Sequence, residues 1–267
     1  MKSFTDFENY IFDFYGTLAG VHTDETSYSF WEKMTEWYSV FGADYLPEEL
    51  AKKYRDAIAE EEEKLCKSTG CRFPEIKLET VFVKLLIEAP KRRQAEKFPA
   101  PGEVTRWAVD TANLFRIASR DYLAPINGAT ELLSLLKARG KRVYLLSNAQ
   151  AVFTVPEIER CGMADSFDDV WLSSDHGVKK PEPSFLSCLM KKHKIAKDET
   201  VMIGNDWYAD MGVAASCGAF GMWINSDGRC YAENDASRKM IREVYGGDAE
   251  CRIFEADSIA ELLNLFK

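Results

Sequence analysis

The sequence predicts an α/β fold, in which helices cover a parallel sheet and a helical domain is inserted after the first strand. Two observations support this prediction. Short apolar runs alternate with helical segments through the second half of the chain, as is typical of a parallel sheet. Between about Ser27 and Arg120, in contrast, large apolar residues recur at helical spacings.

The first strand is predicted from the apolar run NYIFDF at residues 9–14, which meets a turn signal at Gly16. A helical block of residues 27–120 follows. Within it, charged clusters such as residues 60–64 form the polar faces of helices. This block therefore interrupts the sheet immediately after its first strand.

Strands and helices alternate in the second half. Strands are predicted at residues 143–146, 170–172, 201–203 and 219–224. Helices are predicted at residues 127–139, 155–161, 182–194 and 209–217. The 267 residues exceed one compact domain of about 100–150 residues. We expect an α/β core domain of residues 1–20 and 123–267, and a helical domain of residues 21–122.

Composition excludes several classes of partner. The chain carries 34 basic and 43 acidic residues, a net charge of −9, which disfavours nucleic acid and anionic lipid surfaces. No apolar stretch has the length of a membrane helix, and the N-terminus does not resemble a signal peptide. The seven cysteines are scattered and odd in number, which predicts reduced thiols in a cytoplasmic protein. The composition leaves protein partners open.

Reactive side chains follow the predicted strands, where an open parallel sheet binds its ligands. Carboxylates, a hydroxyl, amides and an ammonium are expected to converge on this edge. They are Asp13, Tyr15, Ser147, Asn148, Lys180, Asn205, Asp206 and Asp210, with Lys179 as the alternative source of the ammonium. Each alone has a structural explanation as a cap or a solvated residue. Their common position at strand ends instead predicts one site.

These residues belong to four motifs that resemble those of the haloacid dehalogenase superfamily, which includes many phosphatases. The motifs are DFYGTL at 13–18, LLSN at 145–148, KKPEPSF at 179–185 and IGNDWYAD at 203–210. The resemblance implies a hydrolase with a Rossmann-like core and a helical cap domain inserted after the first motif. It does not select one reaction, because one such scaffold supports several chemistries.

The resemblance also implies roles for four residues. Asp13 would be the nucleophile and form an aspartyl intermediate that water later hydrolyses. Lys180 would be its charge partner, in preference to Lys179, because the lysine of this motif precedes a proline. Ser147 would donate its hydroxyl to an oxygen of a small anionic substrate, and Asn148 would do the same or orient the substrate.

A divalent cation is implied as well. Mg²⁺ would be held by Asp13, the backbone carbonyl of Tyr15 and side chains of the last motif, for which Asn205, Asp206 and Asp210 are the candidates. Two further residues are candidate substrate contacts. They are Thr17, in the turn after the first strand, and His22, which lies on the way to the helical domain.

Two residues depart from the phosphatase pattern. Tyr15 stands where phosphatases of the family carry a second Asp as general acid, whereas haloacid dehalogenases carry Tyr there. A phenol, with an ordinary pKa of about 10, is a weaker acid than a carboxylic acid. Asn205 stands where an acidic metal ligand is usual, and Asp206 next to it is the alternative.

Three hypotheses follow. The leading one is a Mg²⁺-dependent phosphatase acting on a small organic phosphate. The second is a metal-independent 2-haloacid dehalogenase, for which a cap arginine would grip the substrate carboxylate. Residues 20–54 contain no arginine, so Arg55, Arg116 and Arg120 are the candidates. The third is a non-catalytic binding protein on the same scaffold.

Overall fold

The strands of the sheet and the helices that cover it alternate along the chain, as the sequence predicts. A computed structural model describes residues 2–92, 99–225 and 231–266. The strands are β1 (Asn9–Phe12), β2 (Ala19–Thr23), β3 (Ala43–Asp44), β4 (Lys91–Arg92), β5 (Arg120–Pro125), β6 (Arg142–Ser147), β7 (Asp169–Leu172), β8 (Thr200–Gly204), β9 (Phe220–Ile224) and β10 (Ile253–Ala256).

The helices fall into two groups. The first group is α1 (Tyr28–Val40), α2 (Pro47–Thr69), α3 (Leu78–Ile87) and α4 (Val104–Ser119). The second group is α5 (Ala129–Ala138), α6 (Ala151–Arg160), α7 (Ser173–His176), α8 (Pro183–His193), α9 (Gly212–Cys217), α10 (Tyr231–Tyr245), α11 (Gly247–Glu250) and α12 (Ile259–Asn264). A π-helical turn at Trp207–Met211 precedes α9, where the sequence predicts one helix over 209–217.

Six strands form one sheet in the order β10-β9-β8-β1-β6-β7, and each neighbouring pair is parallel. The first strand, β1, therefore lies in the middle, with Phe12 opposite Leu145 on one side and Ile203 on the other. The predicted α/β fold with a Rossmann-like parallel sheet is confirmed. Strand β10 was not predicted, because its run IFEA holds only one adjacent pair of large apolar residues.

Alternate residues of β1 enter two hydrophobic clusters on opposite faces of the sheet, as the two-residue period of a strand requires. Phe12 packs in the cluster that contains Leu132 of α5, and Ile11 packs in the cluster that contains Phe185 of α8. Every residue of β1 is buried. Burial on both faces fixes β1 rigidly, and with it the residues that follow.

Helices α1–α4 build a cluster of their own, which we call the helical insert (residues 28–119). Aromatic residues dominate its interior. They include Phe30, Trp31, Tyr38, Phe82, Trp107 and Phe115. Strands β2 and β5 lie at its two ends and pair antiparallel, with Ala19 opposite Pro125. The predicted domain limits of residues 1–20, 21–122 and 123–267 stay a prediction.

In the described part of the chain, no helix combines the length and the apolar character that crossing a membrane requires. Six cysteines lie among the described residues, and all six are free thiols. Cys230, the seventh, lies outside the described residues.

Candidate active site

A cavity of about 180 Å³ opens at the carboxyl ends of β1, β6 and β8. Parallel strands end on the same edge of the sheet, so side chains that are far apart in sequence meet there. The residues that line the cavity are Asp13, Tyr15, Ser147, Asn148, Lys180, Asn205, Asp206, Ala209 and Asp210. All eight residues predicted from the strand ends are among them.

Asp13 is the first residue beyond β1, and its backbone N–H still donates to the carbonyl of Ile203 at 2.9 Å. This bond extends the pairing of β1 with β8 and fixes the position of the carboxylate. Oδ1 of Asp13 accepts hydrogen bonds from Oγ of Ser147 at 2.9 Å and from Nζ of Lys180 at 2.7 Å. Since both bonds fall on Oδ1, Oδ2 is the oxygen that is left to face a substrate.

Lys180 lies between two carboxylates. Its Nζ also donates to Oδ1 of Asp210 at 2.6 Å, and all three side chains are buried. Burial opposes the charge of Lys180, but the two carboxylates outweigh it and raise the pKa of this lysine. Burial raises the pKa of Asp210 to about 7; the charge of Asp13 adds to this rise and that of Lys180 opposes it.

Asn148 holds the backbone of Lys180 with both ends of its amide. Nδ2 donates to the Lys180 carbonyl at 2.9 Å, and Oδ1 accepts from the Lys180 N–H at 2.7 Å. The side chain thus supports the lysine, and its expected role of binding or orienting a substrate stays a prediction. Lys179 points elsewhere and binds Glu62 at 2.7 Å. Of the two lysines, Lys180 is the one at the cavity.

The last motif is folded around Asp206 and Asp210. Oδ1 of Asp206 accepts the backbone N–H groups of Tyr208 and Ala209 at 2.7 and 2.9 Å, so this carboxylate caps the π-helical turn. Oδ2 of Asp210 accepts the N–H of Asp206 at 3.0 Å. A Cβ on Gly204 would lie 2.0 Å from Oδ2 of Asp210. Glycine is therefore required at 204 for Asp210 to reach Lys180.

Asn205 packs against the turn that follows Asp13. Gly16 has a φ of +80°, and a Cβ there would lie 2.4 Å from Nδ2 of Asn205. Thr17 is fully buried, and its hydroxyl donates to Oδ1 of Asn205 at 3.3 Å. Thr17 thus joins the first motif to the last and does not line the cavity, in contrast to its predicted contact with substrate.

Tyr15 lines the cavity, but its hydroxyl binds two residues of α6 that do not line it. The hydroxyl lies 2.6 Å from Oε2 of Glu157 on α6 and 3.1 Å from Oγ1 of Thr154. Burial is the main reason that the pKa of Tyr15 is raised, with Glu157 adding to the effect and Arg116 opposing it. The phenolic hydroxyl thus donates to Glu157, and a catalytic role of Tyr15 stays a prediction.

Glu157 is the centre of a second buried cluster. Arg116 of α4 binds both of its oxygens, with Nε at 2.6 Å from Oε1 and one terminal nitrogen at 2.9 Å from Oε2. Arg120 adds a third bond at 2.5 Å. The guanidinium of Arg116 also lies 5.3 Å from the centre of the Tyr15 ring. This cluster joins the helical insert to the wall of the cavity.

Glu157 is not among the residues predicted from the sequence, although a signal for it exists. Four buried residues lie along α6 and at its C-terminal end, with the helical spacing of an inward face: Thr154, Glu157, Ile158 and Cys161. A carboxylate on an otherwise inward face needs a charged partner.

His22, a predicted substrate contact, does not line the cavity. It lies on β2, where its Nδ1 is 2.7 Å from Oδ1 of Asp121 on β5, and both side chains are largely exposed. Arg55, one of the arginines considered for a substrate carboxylate, lines a different cavity beside Trp31.

The site fits a magnesium ion by the chemistry of its donors. Within the described ranges, no three His, Cys, Asp or Glu side chains form a ready metal-binding group. Mg²⁺, however, commonly binds one or two carboxylates, a carbonyl, water and a substrate phosphate. Asp13, Asp206 and Asp210 line one cavity. The buried cluster around Lys180 also carries two carboxylates for a single ammonium, an excess of negative charge that a cation balances.

Comparison with known proteins agrees with this geometry. The family model of haloacid dehalogenase-like hydrolases matches residues 7–218. Glyceraldehyde 3-phosphate phosphatase of Pyrococcus furiosus is 27% identical over 134 residues, which are 50% of this chain and 55% of that protein. Phosphoglycolate phosphatase of Vibrio vulnificus is 35% identical over 138 residues, 51% of this chain and 53% of that protein. The chain spans about half the length of the curated relatives it matches.

Among solved structures, the 2-haloacid dehalogenase of Pseudomonas syringae pv. Tomato DC3000 superposes with a TM-score of 0.62. The match covers 97% of each chain at 16% sequence identity, which supports a shared fold. The family match extends over well more than half of the chain and includes all four motifs. The chain therefore belongs to the haloacid dehalogenase-like hydrolases.

Proposed function

We propose that this hydrolase is a Mg²⁺-dependent phosphatase that acts on a small organic phosphate through an aspartyl-phosphate intermediate. The observation that carries the proposal is the contact of Asp13 with Ser147 and Lys180 at the floor of the cavity. Two of the relatives are named phosphatases of small phosphorylated acids or aldehydes, which supports the same class of substrate.

The proposed reaction begins at Asp13. Ser147 and Lys180 hold one carboxylate oxygen, so the other, Oδ2, is directed at the phosphorus atom of a bound phosphate. The bond from phosphorus to the leaving oxygen breaks as the bond from Oδ2 forms. Water then attacks the phosphorus, and the carboxylate of Asp13 is restored as inorganic phosphate forms. Lys180 reduces the negative charge that opposes both attacks.

Magnesium would be held by Asp13, the backbone carbonyl of Tyr15 and the carboxylates of Asp206 or Asp210, with the side-chain oxygen of Asn205 nearby. When bound, it would neutralise charge on the phosphoryl oxygens. The excess of carboxylates over ammonium groups around Lys180 supports this assignment. Asp206 keeps one oxygen outside its capping bonds, because both of those bonds fall on Oδ1.

The test is phosphate release from a panel of small phosphorylated compounds, with and without EDTA. We expect release that EDTA abolishes and that added Mg²⁺ restores. Asp13→Asn should lose the activity, whereas Asp165→Asn, which changes an exposed carboxylate, should retain it. If no phosphorylated compound is hydrolysed in a metal-dependent way, the proposal is wrong.

A second candidate is the 2-haloacid dehalogenase, favoured by the Tyr15 ring beside the guanidinium of Arg116. One observation argues against it. Arg116 already donates two hydrogen bonds to Glu157, and a substrate carboxylate would have to bind the same guanidinium. Halide release from 2-chloropropionate, unaffected by EDTA, would identify this activity. No observation favours the non-catalytic binding protein, because Asp13, Ser147 and Lys180 are in contact at the cavity.

A further inference from the structure

The departing oxygen of a phosphate ester needs a proton if it leaves from an ordinary alcohol. A positioned general acid commonly accelerates such a step by about 10²–10⁴-fold. Tyr15 is two residues beyond the nucleophile and lines the cavity, so its hydroxyl is the first group to consider.

The hydroxyl of Tyr15 is held by the protein itself. It lies 2.6 Å from Glu157, and Glu157 is only 2% exposed. Glu157 is in turn fixed by Arg116 and Arg120, which leave it ionised and able to accept the phenolic proton. The proton of Tyr15 is therefore directed to Glu157, in the contact between α6 and the helical insert, and Glu157 does not line the cavity.

The other polar side chains of the cavity wall are also engaged. Ser147 donates to Asp13, and Lys180 donates to both Asp13 and Asp210. Asn148 binds the backbone of Lys180. Both oxygens of Asp210 accept hydrogen bonds, from Lys180 and from a backbone N–H. The side-chain donors Tyr15, Ser147, Asn148 and Lys180 of the cavity wall thus all donate to groups of the protein itself.

We propose that this site hydrolyses phosphates whose leaving group departs without a proton, namely acyl phosphates and aryl phosphates, in preference to alkyl phosphates. This inference rests on the proposed phosphatase function and narrows its substrate class. The buried cluster of Tyr15, Glu157, Arg116 and Arg120 is what sets the preference, because it binds the hydroxyl of Tyr15, the one phenol among the described residues of the cavity wall.

The step balances without a proton donor. Oδ2 of Asp13 forms a bond to phosphorus, and the bond from phosphorus to the bridging oxygen breaks. The electron pair of that bond stays on the oxygen, which leaves as a carboxylate from an acyl phosphate or as a phenolate from an aryl phosphate. A carboxylate is the stable form at neutral pH, since the pKa of a carboxylic acid is about 4.

The first test needs no variant. We would measure kcat/KM, which reports formation of the aspartyl intermediate, for acetyl phosphate, a series of substituted phenyl phosphates, glycerol 3-phosphate and 2-phosphoglycolate, all with Mg²⁺. The rate with Asp13→Asn is subtracted as background. We expect the acyl and aryl compounds to exceed the alkyl compounds by at least about 10²-fold, the contribution of the absent acid.

Variants at position 15 test whether the bound hydroxyl of Tyr15 causes the preference for acyl and aryl phosphates. Tyr15→Phe removes the hydroxyl and should keep the ratio of aryl to alkyl hydrolysis, because the hydroxyl serves Glu157. Tyr15→Asp introduces a carboxyl group and should raise alkyl phosphate hydrolysis by about 10²-fold over Tyr15→Asn, which has the same shape without a transferable proton. Circular dichroism spectra of all three variants check that the fold is retained.

Failure of the inference differs from failure of the proposed function. Three outcomes would each overturn the inference while the protein remains a phosphatase. They are equal kcat/KM for alkyl and aryl phosphates, a fall in Tyr15→Phe of alkyl phosphate hydrolysis alone, and equal rates of alkyl phosphate hydrolysis in Tyr15→Asp and Tyr15→Asn. Halide release with no hydrolysis of any phosphate would overturn the proposed function itself.

Discussion

The structure contains two buried clusters of charge, one at the cavity and one bound to the Tyr15 hydroxyl, and they are opposite in composition. The cluster of Asp13, Lys180 and Asp210 holds two carboxylates and one ammonium. The cluster of Glu157, Arg116 and Arg120 holds one carboxylate and two guanidinium groups. The first therefore has an excess of negative charge, and the second an excess of positive charge.

The difference in hydrogen bonding is equally clear. Both oxygens of Glu157 accept bonds from arginine, and one of them also accepts from Tyr15. Asp13, in contrast, receives its side-chain bonds on one oxygen and borders a cavity with the other. Buried charge that is fully bonded holds elements together, whereas buried charge with an open oxygen beside a cavity is available for chemistry.

The largest effect is expected from Lys180→Met, which removes the only cation of the Asp13 cluster. Two neighbouring buried carboxylates would then repel each other, and one would take up a proton. We expect phosphate release to fall by at least about 10³-fold. Lys179→Met is the matched control, because Lys179 binds Glu62 and does not line the cavity. Equal losses in the two variants would contradict the role assigned to Lys180.

Glu157→Gln tests the second cluster through stability. The substitution keeps the shape of the side chain but leaves Arg116 and Arg120 without their common anion. Breaking a buried ion pair costs about 3 kcal/mol of the free energy of unfolding. Urea unfolding measures this loss, and Glu159→Gln, at an exposed position of the same helix, should change stability little. An unchanged midpoint in Glu157→Gln would show that the cluster does not stabilise the fold.

Gly204→Ala tests how closely Asp210 must approach Lys180. The new methyl group would lie 2.0 Å from Oδ2 of Asp210 and must displace that carboxylate. A displacement of this kind lowers catalytic rates by about 10²-fold. Gly102→Ala is a useful comparison for folding, because no neighbouring atom lies within 4 Å of a Cβ there and its backbone does not have a positive φ. Activity at the wild-type level in Gly204→Ala would show that the close approach is unnecessary.

The smallest effect concerns a third ionic cluster, at Asp169. Burial opposes its ionisation, but hydrogen bonds from Lys192, His193 and Trp171 lower the pKa of Asp169 to about 2. A folded-state pKa below that of the unfolded chain stabilises the protein at higher pH, and the contribution is lost as pH falls toward 2. Asp169→Asn should therefore cost about 1 kcal/mol at pH 6 and progressively less toward pH 3, as measured by urea unfolding. A constant difference across this range would contradict the assignment.

Much of the Asp13 cluster could be predicted from the sequence because strands obey simple rules. Apolar runs identify β1, β6 and β8, and parallel strands end on one edge, so Asp13, Ser147 and Asp210 must come close together. The motif resemblance added the choice of Lys180. None of these steps requires knowledge of how the helices pack.

The Glu157 cluster could not be predicted in the same way. Arg116 is 41 residues before Glu157 and belongs to the helical insert, so their contact depends on how α4 lies against α6. Local spacing carries no information about that arrangement. Strand β5 escaped prediction for a related reason, since its residues are partly or fully exposed and lack the alternation of a half-buried strand.

The central position of β1 has a consequence for how the protein is made. The ribosome completes Asp13 well before its partners Ser147 and Lys180, which come 134 and 167 residues later. Until β6 and β8 have been synthesised, both edges of β1 lack their neighbours, whereas the helical insert packs residues much closer together in sequence. Contacts so distant in sequence form slowly. The proposed nucleophile is thus translated long before the side chains that position it, and it gains both of them only after Lys180 has been synthesised.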